Sequence, residues 1–332
     1  MELYDIIIIG AGITGYAGAV YAGRLKLKTL VIGKERGGII VTTDVIENYP
    51  GFKSITGAEL AAKVREHAME YRDNVKFVDD IVERIEKRKG CFIIHTESRK
   101  EYRAISVLYA TGTKHKKLDV PGEKEFFAKG VHTCGLCDGA FYKDKIVAVV
   151  GGSDSAAKEA VLLTQWAKKV YIIYRKEKIR AEPANMEKID EKIKEGKIEI
   201  INNTNIKEII GDRFVKRVVL DRPYKGSVDF PVNGIFLSVG IIPISDLAHE
   251  IGIDVNEKGE IIINRYGETN LPGFFAAGDV TDKAFKQAIT GVGDAVSAVY
   301  SAYNFTKQRG RDMSMCDGCN RKIDECVRLH NR

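Results

Sequence analysis

The residues of this chain best suited to chemistry are two cysteines three positions apart, Cys134 and Cys137. Cysteines at this spacing bind a metal ion together with two further Cys or His ligands, or they form a reversible disulfide. The additional metal ligands nearest in sequence would be His115 and His132, which do not complete a recognised zinc pattern. In the redox interpretation, Asp138 follows directly as a proton donor and acceptor. The flanking sequence has to decide between these two kinds of site.

A glycine turn near the N-terminus predicts a dinucleotide site. The apolar run Leu3–Ile9 is typical of a buried parallel strand, and it leads directly into Gly10, Gly12 and Gly15 and then into a helical pattern. This order allows a tight turn, close approach of a pyrophosphate and close packing of helix on strand. The helix N-terminus adds unpaired N–H donors. An acid after the second strand would bind the ribose, and Glu35 is the candidate. A glycine turn of some other α/β fold is the alternative.

The same pattern recurs, imperfectly, near the middle of the chain. The strand Lys145–Val150 is followed by a second turn made of Gly151, Gly152, Ser153, Asp154, Ser155 and Ala156. Ser153 stands at the middle glycine position, where its side chain narrows the approach of a pyrophosphate. The next strand ends in a set of cations that suits the 2′-phosphate of NADPH, namely Arg175, Lys176 and Arg180. A solvated charged turn is the alternative interpretation of these cations.

Two dinucleotide turns imply two nucleotides, and therefore hydride or electron transfer between them. The pair Cys134 and Cys137 lies directly before the second strand, turn and helix. In a chain with two nucleotide sites, thiols that lack further local metal ligands favour a redox disulfide. We therefore expect an α/β fold made of two Rossmann-like, three-layer dinucleotide-binding domains.

The ordered set of motifs resembles the low-molecular-weight thioredoxin reductases, which are FAD-dependent pyridine nucleotide disulfide oxidoreductases. The resemblance extends from Tyr4 to about Phe305. Its motifs are GAGITG (Gly10–Gly15), GG with ENYPG (Gly37–Gly38 and Glu47–Gly51), ATGT (Ala110–Thr113), CGLCDG (Cys134–Gly139), GGSDSA (Gly151–Ala156), YRKEKIR (Tyr174–Arg180) and FAAGDV with KQAIT (Phe275–Val280 and Lys286–Thr290). The ordered set is far more specific than any one of its members.

The resemblance implies that the second domain is inserted into the first. An FAD-binding domain would comprise residues 1–117 and 246–305, an NAD(P)H-binding domain with the two cysteines residues 118–245, and a Cys/His-containing tail residues 306–332. Beyond the first glycine turn and Glu35, the implied FAD-binding residues are Asn48, Thr111, Gly112, Gly278, Asp279, Lys286, Gln287 and Ala288. An N-cap of the last helix is the alternative role for Asp279.

The resemblance also implies an electron route. NADPH would reduce FAD, FAD would reduce the Cys134–Cys137 disulfide, and the thiols would reduce thioredoxin or a glutaredoxin-like protein. Cys137 would face the flavin, Cys134 would attack the partner, and Asp138 would move the proton. The implied enzyme is a homodimer in which one domain rotates against the other.

Several positions depart from the family pattern, mostly on the nicotinamide side. Ser153 stands where glycine is usual, and Tyr174 and Lys176 replace a usual His and Arg; near the flavin, Ile39 replaces a usual Gln. The alternative is therefore a related flavin disulfide reductase that uses NADH, reduced ferredoxin or another donor, or that acts on another small disulfide protein.

Composition excludes several other classes of function. The 332 residues are 44% hydrophobic and 30% charged, and the net charge of +6 is spread along the chain. Because no arginine-rich or aromatic cluster accompanies that charge, we expect no nucleic-acid partner. No apolar run approaches the roughly 20 residues that cross a bilayer, so we expect no membrane partner and a cytoplasmic location. In the cytoplasm, cysteine pairs are catalytic or metal-binding rather than structural.

The last residues carry a second group of cysteines. Cys316, Cys319, Cys326 and His330 have the ligand types of a Cys3His zinc site, although the loop between the second and third ligands is short. A thiol relay from the Cys134–Cys137 pair and a tail with incidental thiols are the alternatives. The sequence thus predicts a separate tail site, with zinc as the first of three interpretations.

Overall fold

The computed structural model of this chain describes residues 2–43 and 45–312. These residues form two compact units. The first comprises residues 2–41, 45–113 and 243–312, and the second comprises residues 42–43 and 114–242. Each unit contains a parallel β-sheet with helices, so the predicted α/β fold class is confirmed. Which nucleotide each unit would bind stays a prediction.

The N-terminal stretch supplies six strands and two helices of the first unit. They are β1 (Leu3–Ile9), α1 (Ile13–Arg24), β2 (Thr29–Ile32), α2 (Gly57–Met69), β3 (Val75–Val78), β4 (Val82–Arg88), β5 (Cys91–Thr96) and β6 (Glu101–Tyr109). The sheet order is β3-β2-β1-β6-β5-β4, with the first four strands parallel. Ile9 pairs with Ile32 of β2 and with Tyr109 of β6. Three carboxyl ends thus meet at the first glycine turn, where open α/β sheets bind ligands.

The middle of the chain supplies the second unit. Its elements are β7 (Thr113–His115), β8 (Val131–His132), α3 (Gly135–Asp138), β9 (Ile146–Val150), α4 (Asp154–Leu163), β10 (Lys169–Ile173), α5 (Pro183–Lys194), β11 (Ile198–Ile201), β12 (Ile206–Gly211), β13 (Val215–Tyr224), β14 (Ser227–Pro231), β15 (Gly234–Leu237) and β16 (Ile241–Pro243). Strands β11-β10-β9-β15-β8 form an all-parallel sheet. Helices α4 and α5 pack on one face, and the antiparallel sheet β12-β13-β14 packs on the other. The result is a three-layer unit with its sheet buried on both faces.

The last described stretch completes the first unit. It contains α6 (Asp246–Glu250), β17 (Phe274–Ala276) and α7 (Ala288–Asp312). Strand β17 runs parallel to β6 with Ala276 opposite Tyr109, and the N–H of Ala277 donates to the Tyr109 carbonyl at 3.1 Å. This pairing brings the chain near residue 278 to the sheet edge where the first glycine turn begins.

Side-chain packing explains the unbroken apolar run of β1. Ile6 and Ile8 pack with α1 and α7, whereas Ile7 and Ile9 pack in the cluster on the opposite face of the sheet. Because successive side chains of a strand point to opposite faces, a strand covered on both faces is apolar at every position. Cys91 is buried in β5.

In the part of the chain that the structure describes, no helix has both the length and the apolar character needed to cross a bilayer.

Candidate active site

A disulfide joins the two cysteines at the start of a short helix in the second unit. Cys134 is the N-cap of α3, and its Sγ accepts a hydrogen bond from the N–H of Cys137 at 3.1 Å. The two Cα atoms lie 5.4 Å apart, within the range of native disulfides. Cys134 is buried and Cys137 is exposed. The predicted disulfide between Cys134 and Cys137 is therefore present, and its redox role stays a prediction.

A buried histidine holds the acid that follows the disulfide. Nδ1 of His132 lies 2.9 Å from Oδ2 of Asp138, and Nε2 lies 2.8 Å from the hydroxyl of Tyr142. Burial lowers the pKa of His132, and the neighbouring Asp138 acts in the opposite direction. No sequence pattern connects these residues, since His132 stands in the sequence only as a candidate metal ligand.

A glutamate that the sequence did not single out connects the disulfide helix to the second glycine turn. Glu159 of α4 accepts a hydrogen bond from the N–H of Gly135 at 2.9 Å and another from the Ser238 hydroxyl. Burial raises the pKa of Glu159 to about 7, against the lowering effect of these two hydrogen bonds. Only the fold brings together the segments that contain Gly135, Glu159 and Ser238, so no local pattern could have revealed this contact.

The first glycine turn has the shape of a phosphate cradle. Gly10 has a φ of +122°, and a Cβ there would overlap the Ala110 carbonyl oxygen. A Cβ on Gly15 would overlap the Gly10 carbonyl oxygen. Helix α1 begins after Gly12 without any side-chain cap, so its first N–H groups are not used by a capping side chain. Both observations fit a pyrophosphate bound against this helix terminus.

A second glycine pair lies against this turn. The N–H of Gly37 donates to the Ala11 carbonyl at 2.7 Å, and a Cβ on Gly38 would lie 3.1 Å from the Cα of Gly12. Glu35, the predicted ribose ligand, is exposed three residues beyond the end of β2. The structure therefore places Glu35 next to this glycine pair.

The predicted flavin residues of the central and C-terminal segments fall into two contact groups. In the first group, the Thr111 hydroxyl donates to the Ile244 carbonyl at 2.7 Å, and the Gly112 carbonyl accepts from the Ile244 N–H at 3.0 Å. In the second group, the Asn48 amide donates to the Gln287 side chain at 3.0 Å. Asn48 and Gln287 are 239 positions apart in sequence, so the fold brings together two residues that only the family resemblance had connected.

Lys286 and Asp279 have different surroundings. The ammonium of Lys286 donates to the carbonyls of Asp279 and Thr281 at 2.8 and 2.9 Å and lies 2.6 Å from the Glu260 carboxylate. These three oxygens can take all three of its hydrogens. Burial raises the pKa of Asp279, while Lys286 opposes this effect. A raised carboxyl pKa in a half-buried site fits a group that binds a polar ligand.

The last helix begins too late for Asp279 to cap it. Gly278 to Val280 form a short 3-10 helix, and α7 begins at Ala288. The alternative role of Asp279 as the N-cap of the last helix is therefore wrong, because a loop separates the two elements. Gly278 has a φ of +78°, and a Cβ there would lie 2.7 Å from the Thr14 hydroxyl, so the chain passes directly over the start of α1.

The second glycine turn differs from the first in its side chains. Gly151 has a φ of +150°, and a Cβ there would overlap the Ser238 carbonyl oxygen. Ser153 is the N-cap of α4, and its hydroxyl accepts from the N–H of Ala156 at 3.4 Å. Asp154 accepts from the N–H of Glu182 and from the Asn185 amide, both at 2.8 Å. Ser153 and Asp154 thus make hydrogen bonds within the protein.

A cavity of about 400 Å³ opens beside this turn, entirely within the second unit. Its wall contains six of the eight predicted nicotinamide nucleotide residues: Gly151, Gly152, Ser153, Arg175, Lys176 and Arg180. Asp154 and Ser155 are not part of the wall. Lys116 and Lys117, which belong to none of the sequence motifs, also line it. The described wall residues thus include five cations and no carboxylate, which favours a ligand with several phosphate charges.

Tyr174, one of the departures from the family pattern, narrows the same cavity. Its ring is buried against the turn, and a Cβ on Gly152 would lie 2.5 Å from ring atoms. The N–H of Arg180 donates to the Gly152 carbonyl at 2.7 Å. Ser153 and Tyr174, two of the departures from the family pattern, therefore both place side-chain atoms against the backbone that a pyrophosphate would approach.

The predicted zinc ligands Cys316, Cys319, Cys326 and His330 lie outside the described residues. Within residues 2–43 and 45–312, no group of three or more His, Cys, Asp or Glu side chains could hold a metal ion.

Comparison with known proteins agrees with this geometry. Residues 4–295 match the model of the pyridine nucleotide-disulphide oxidoreductase family. A thioredoxin reductase of Listeria innocua is 39% identical over 310 residues, which are 92% of this chain and 95% of the relative.

Solved structures show the same similarity. The thioredoxin reductase of Lactococcus lactis superposes with a TM-score of 0.86 at 38% identity, over 92% of this chain and 99% of the other. A ferredoxin-flavin thioredoxin reductase of Clostridium acetobutylicum reaches a TM-score of 0.50 at 31% identity, over 93% of this chain and 99% of the other. This chain belongs to the pyridine nucleotide-disulphide oxidoreductase family.

Proposed function

We propose that this chain is a thioredoxin-disulfide reductase that passes electrons from NADPH through FAD and the Cys134–Cys137 disulfide to thioredoxin. The observation that carries the proposal is the disulfide itself, placed at the start of α3 and hydrogen-bonded through Gly135 to the helix that follows the second glycine turn. The names of the relatives support thioredoxin as the partner. A glutaredoxin-like protein is the other partner with the same dithiol chemistry.

The first unit is the proposed FAD domain. The glycine cradle of Gly10, Gly12 and Gly15 and the uncapped start of α1 fit the pyrophosphate. The remaining proposed contacts are Glu35, Asn48, Thr111, Gly112, Gly278, Asp279, Gln287 and Ala288, with Lys286 holding the Asp279 segment in place. Bound FAD would supply transfer of two electrons between a nicotinamide and a disulfide. The sequence-based division is residues 1–117 and 246–305 for FAD and 118–245 for NAD(P)H; we propose to move its boundaries to those of the two compact units, 113/114 and 242/243, so that Lys116 and Lys117 belong to the NAD(P)H domain.

The second unit is the proposed nicotinamide nucleotide domain. Five cations around the cavity suit the pyrophosphate and the 2′-phosphate of NADPH, with Arg175 and Arg180 able to bind phosphate through two parallel hydrogen bonds. The glycine backbone of Gly151 and Gly152 provides the tight turn.

The proposed exchange reaction uses Cys134, which is the N-cap of α3, and Cys137 and Asp138, which lie in α3. The Cys134 thiolate attacks the partner's disulfide, and the departing partner thiolate takes a proton from Asp138. Cys137 then attacks Cys134 Sγ, which restores the intramolecular disulfide and releases the second partner thiol. Two electrons and two protons pass to the partner, and the net change is one disulfide formed and one reduced.

Reduced ferredoxin is a second candidate donor. The observation that favours it is the obstructed second turn, where Ser153 caps α4 and the Tyr174 ring lies against Gly152. A solved relative at 31% identity is a ferredoxin-flavin thioredoxin reductase. NADH remains a third donor because the Tyr174 and Lys176 substitutions alter the side chains next to the proposed 2′-phosphate site.

The partner and compartment are also part of the proposal. A reductase with an exchange-competent thiol pair needs a reducing compartment, so we propose the cytoplasm. The family resemblance supports a homodimer. Zinc at Cys316, Cys319, Cys326 and His330 remains a separate prediction, which metal analysis before and after deletion of residues 312–332 would test.

The visible spectrum of the purified protein, followed by its bleaching, tests the function. We expect a flavin spectrum that NADPH bleaches, and we expect thioredoxin reduction to follow. Cys134→Ser should keep the bleaching but lose disulfide turnover by at least about 10³-fold, because the proposed attacking thiol is gone and Cys137 alone cannot form the intramolecular disulfide that releases the reduced partner. A colourless protein would refute the flavoenzyme. Bleaching by reduced ferredoxin but not by NADPH would establish the second candidate instead.

A further inference from the structure

Two buried side chains, His132 and Tyr142, are connected by hydrogen bonds to Asp138, the acid of the disulfide helix. Asp138 contacts Nδ1 of His132 at 2.9 Å, and Nε2 of the same imidazole contacts the Tyr142 hydroxyl at 2.8 Å. The His132 side chain is 7% exposed, whereas that of Asp138 is 31% exposed. The hydrogen bonds therefore lead from the protein interior to a carboxyl group that remains open to solvent.

The directions of the two hydrogen bonds follow from the chemistry of the groups. A carboxylate can only accept, so Nδ1 of His132 carries the hydrogen and donates it to Oδ2 of Asp138. In a neutral imidazole Nε2 is then an acceptor, and the Tyr142 hydroxyl donates to it. Burial raises the pKa of Tyr142 to about 12, with Asp138 adding to the effect, so this hydroxyl stays protonated. The order of donation is Tyr142 to His132 to Asp138.

Aromatic packing fixes the imidazole in this orientation. The His132 ring stacks on Phe236 of β15 with centroids 5.3 Å apart and an angle of 27° between the planes. The Tyr142 ring meets it edge-on at 5.5 Å. A ring held on two sides cannot turn to another partner without losing these contacts.

Within the described part of the chain, Asp138 is the charged group in contact with this imidazole, and the Phe236 ring of β15 that stacks on it carries no charge. The Lys145 ammonium lies 5.5 Å from the ring centroid of Tyr142, which is the hydrogen-bond partner of Nε2 of His132. Glu159 of α4 reaches the disulfide helix through Gly135 rather than through the histidine. Because burial lowers the pKa of His132, the imidazole is neutral near pH 7.

We propose that His132 is a positioning residue for disulfide exchange, whose Nδ1–H holds Oδ2 of Asp138 and leaves the second carboxyl oxygen available to the cysteine sulfurs and the partner thiol. The inference rests on the proposed function, because Asp138 needs this position only if it exchanges protons with thiols. Asp138 gives its proton to the leaving partner thiolate and regains one when the pair is next reduced. His132 keeps its own proton throughout, and Tyr142 fixes which nitrogen carries it.

Two substitutions of His132 separate positioning from mere packing. His132→Ala removes the donor, whereas His132→Asn keeps an N–H at nearly the place of Nδ1. We expect kcat for thioredoxin reduction to fall about 10- to 100-fold in H132A, within the roughly 10²- to 10⁴-fold that acid–base catalysis supplies. KM for thioredoxin and the rate of flavin reduction should change less than about threefold, and H132N should recover most of the loss. If H132N is as impaired as H132A, the donor role is refuted.

Asp138→Asn supplies the test of coupling. If His132 acts through Asp138, adding H132A to D138N should cost less than about twofold further, since coupled residues are not additive. Independent, multiplicative losses would overturn the proposal. His67→Gln, at an exposed histidine of the first unit, is the matched control and should leave every rate unchanged.

A partner-free measurement keeps this inference separate from the proposed function. The full chain is reduced with dithionite and alkylated with iodoacetamide across pH, and mass spectrometry follows the peptide that contains Cys134 and Cys137. We expect the pH midpoint of alkylation to differ between wild type and H132A and to return in H132N, because a carboxylate that is no longer held beside the sulfurs changes the charge that a thiolate meets there. Wild-type failure to reduce thioredoxin would refute the proposed function alone, whereas identical alkylation profiles would refute the role of His132.

Discussion

The two glycine turns of this chain have similar backbone conformations but differ in whether a side chain caps the helix that follows. Both begin with a glycine of positive φ whose Cβ would overlap a carbonyl oxygen, Gly10 against Ala110 and Gly151 against Ser238. At the first turn α1 starts without a capping side chain, whereas at the second Ser153 occupies an N–H of α4. A helix terminus capped by the protein offers fewer donors to a ligand. If the second turn binds NADPH as proposed, we expect its cations to contribute more to phosphate binding than its backbone does.

Replacing the first glycine of each turn gives the largest test of this comparison. Gly10→Ala should yield protein without flavin absorbance, with FAD affinity lowered by at least about 100-fold, because a strained φ and a steric overlap coincide. Gly151→Ala is the matched variant and should keep the flavin while losing reduction by NADPH. Absorbance at the flavin maximum and stopped-flow bleaching measure the two effects. Loss of flavin in both variants would show that the turns do not serve separate nucleotides.

Removal of the cations tests how the second turn binds phosphate. Arg175→Ala combined with Arg180→Ala should raise KM for NADPH about 10- to 100-fold, since charge-assisted contacts to the 2′-phosphate are lost. KM for NADH should rise less than about threefold. Steady-state kinetics with both nucleotides measures the ratio. Equal changes for the two donors would indicate that these arginines lie on a solvated turn.

The Glu159 carboxyl under the disulfide helix predicts a pH dependence of stability for the second unit. Because the pKa of Glu159 is raised from 4.5 to about 7 in the folded protein, the folded state binds the proton more tightly than the unfolded state. Stability from this group is therefore present below about pH 4.5 and is lost as pH rises to about 7, by on the order of 1–3 kcal/mol.

Glu159→Gln should remove that slope. Denaturant unfolding of the full chain between pH 5 and 8 measures it, with Glu66→Gln on an exposed face of α2 as the control. A slope that persists unchanged in E159Q would assign the titration to another group.

Opening the second turn gives the smallest expected effect. Ser153→Gly should lower KM for NADPH about two- to fivefold, because it frees the Ala156 N–H and removes a Cβ from the phosphate approach. The cost in stability should be only a few tenths of a kcal/mol, since glycine is a tolerated N-cap. An unchanged or higher KM would mean that the Tyr174 ring, rather than the cap, limits access.

Local patterns predicted the features that depend on neighbouring residues. The apolar run of β1 with Gly10, Gly12 and Gly15 predicted a strand, a turn and a helix, and the structure has them in that order. The spacing of Cys134 and Cys137 predicted a disulfide, because three positions on a helix start bring the Cα atoms within bonding range.

Contacts between distant segments were beyond such patterns. His132 at the end of β8 contacts Asp138 at the end of α3, and the Tyr142 hydroxyl contacts the same imidazole from the 3-10 helix Gly139–Tyr142. The Glu159 contact needs α4 and β15 packed around the start of α3. Lys116 and Lys117 gain their place in the cavity wall only when the end of β15 approaches the chain beyond β7. Each of these contacts depends on tertiary packing, which the periodicity of the sequence does not reveal.

Helix α4 contacts both the second glycine turn and the disulfide helix. It begins at the phosphate turn, and Glu159, five residues further along, holds the backbone of the disulfide helix. At 1.5 Å per residue these two points are only about 7 Å apart along one helix axis. The proposed nucleotide turn and the backbone of the disulfide helix are thus connected through fewer than two turns of one helix. A substitution that shifts the start of α4 is therefore expected to displace Glu159 and its hydrogen bond to Gly135 as well.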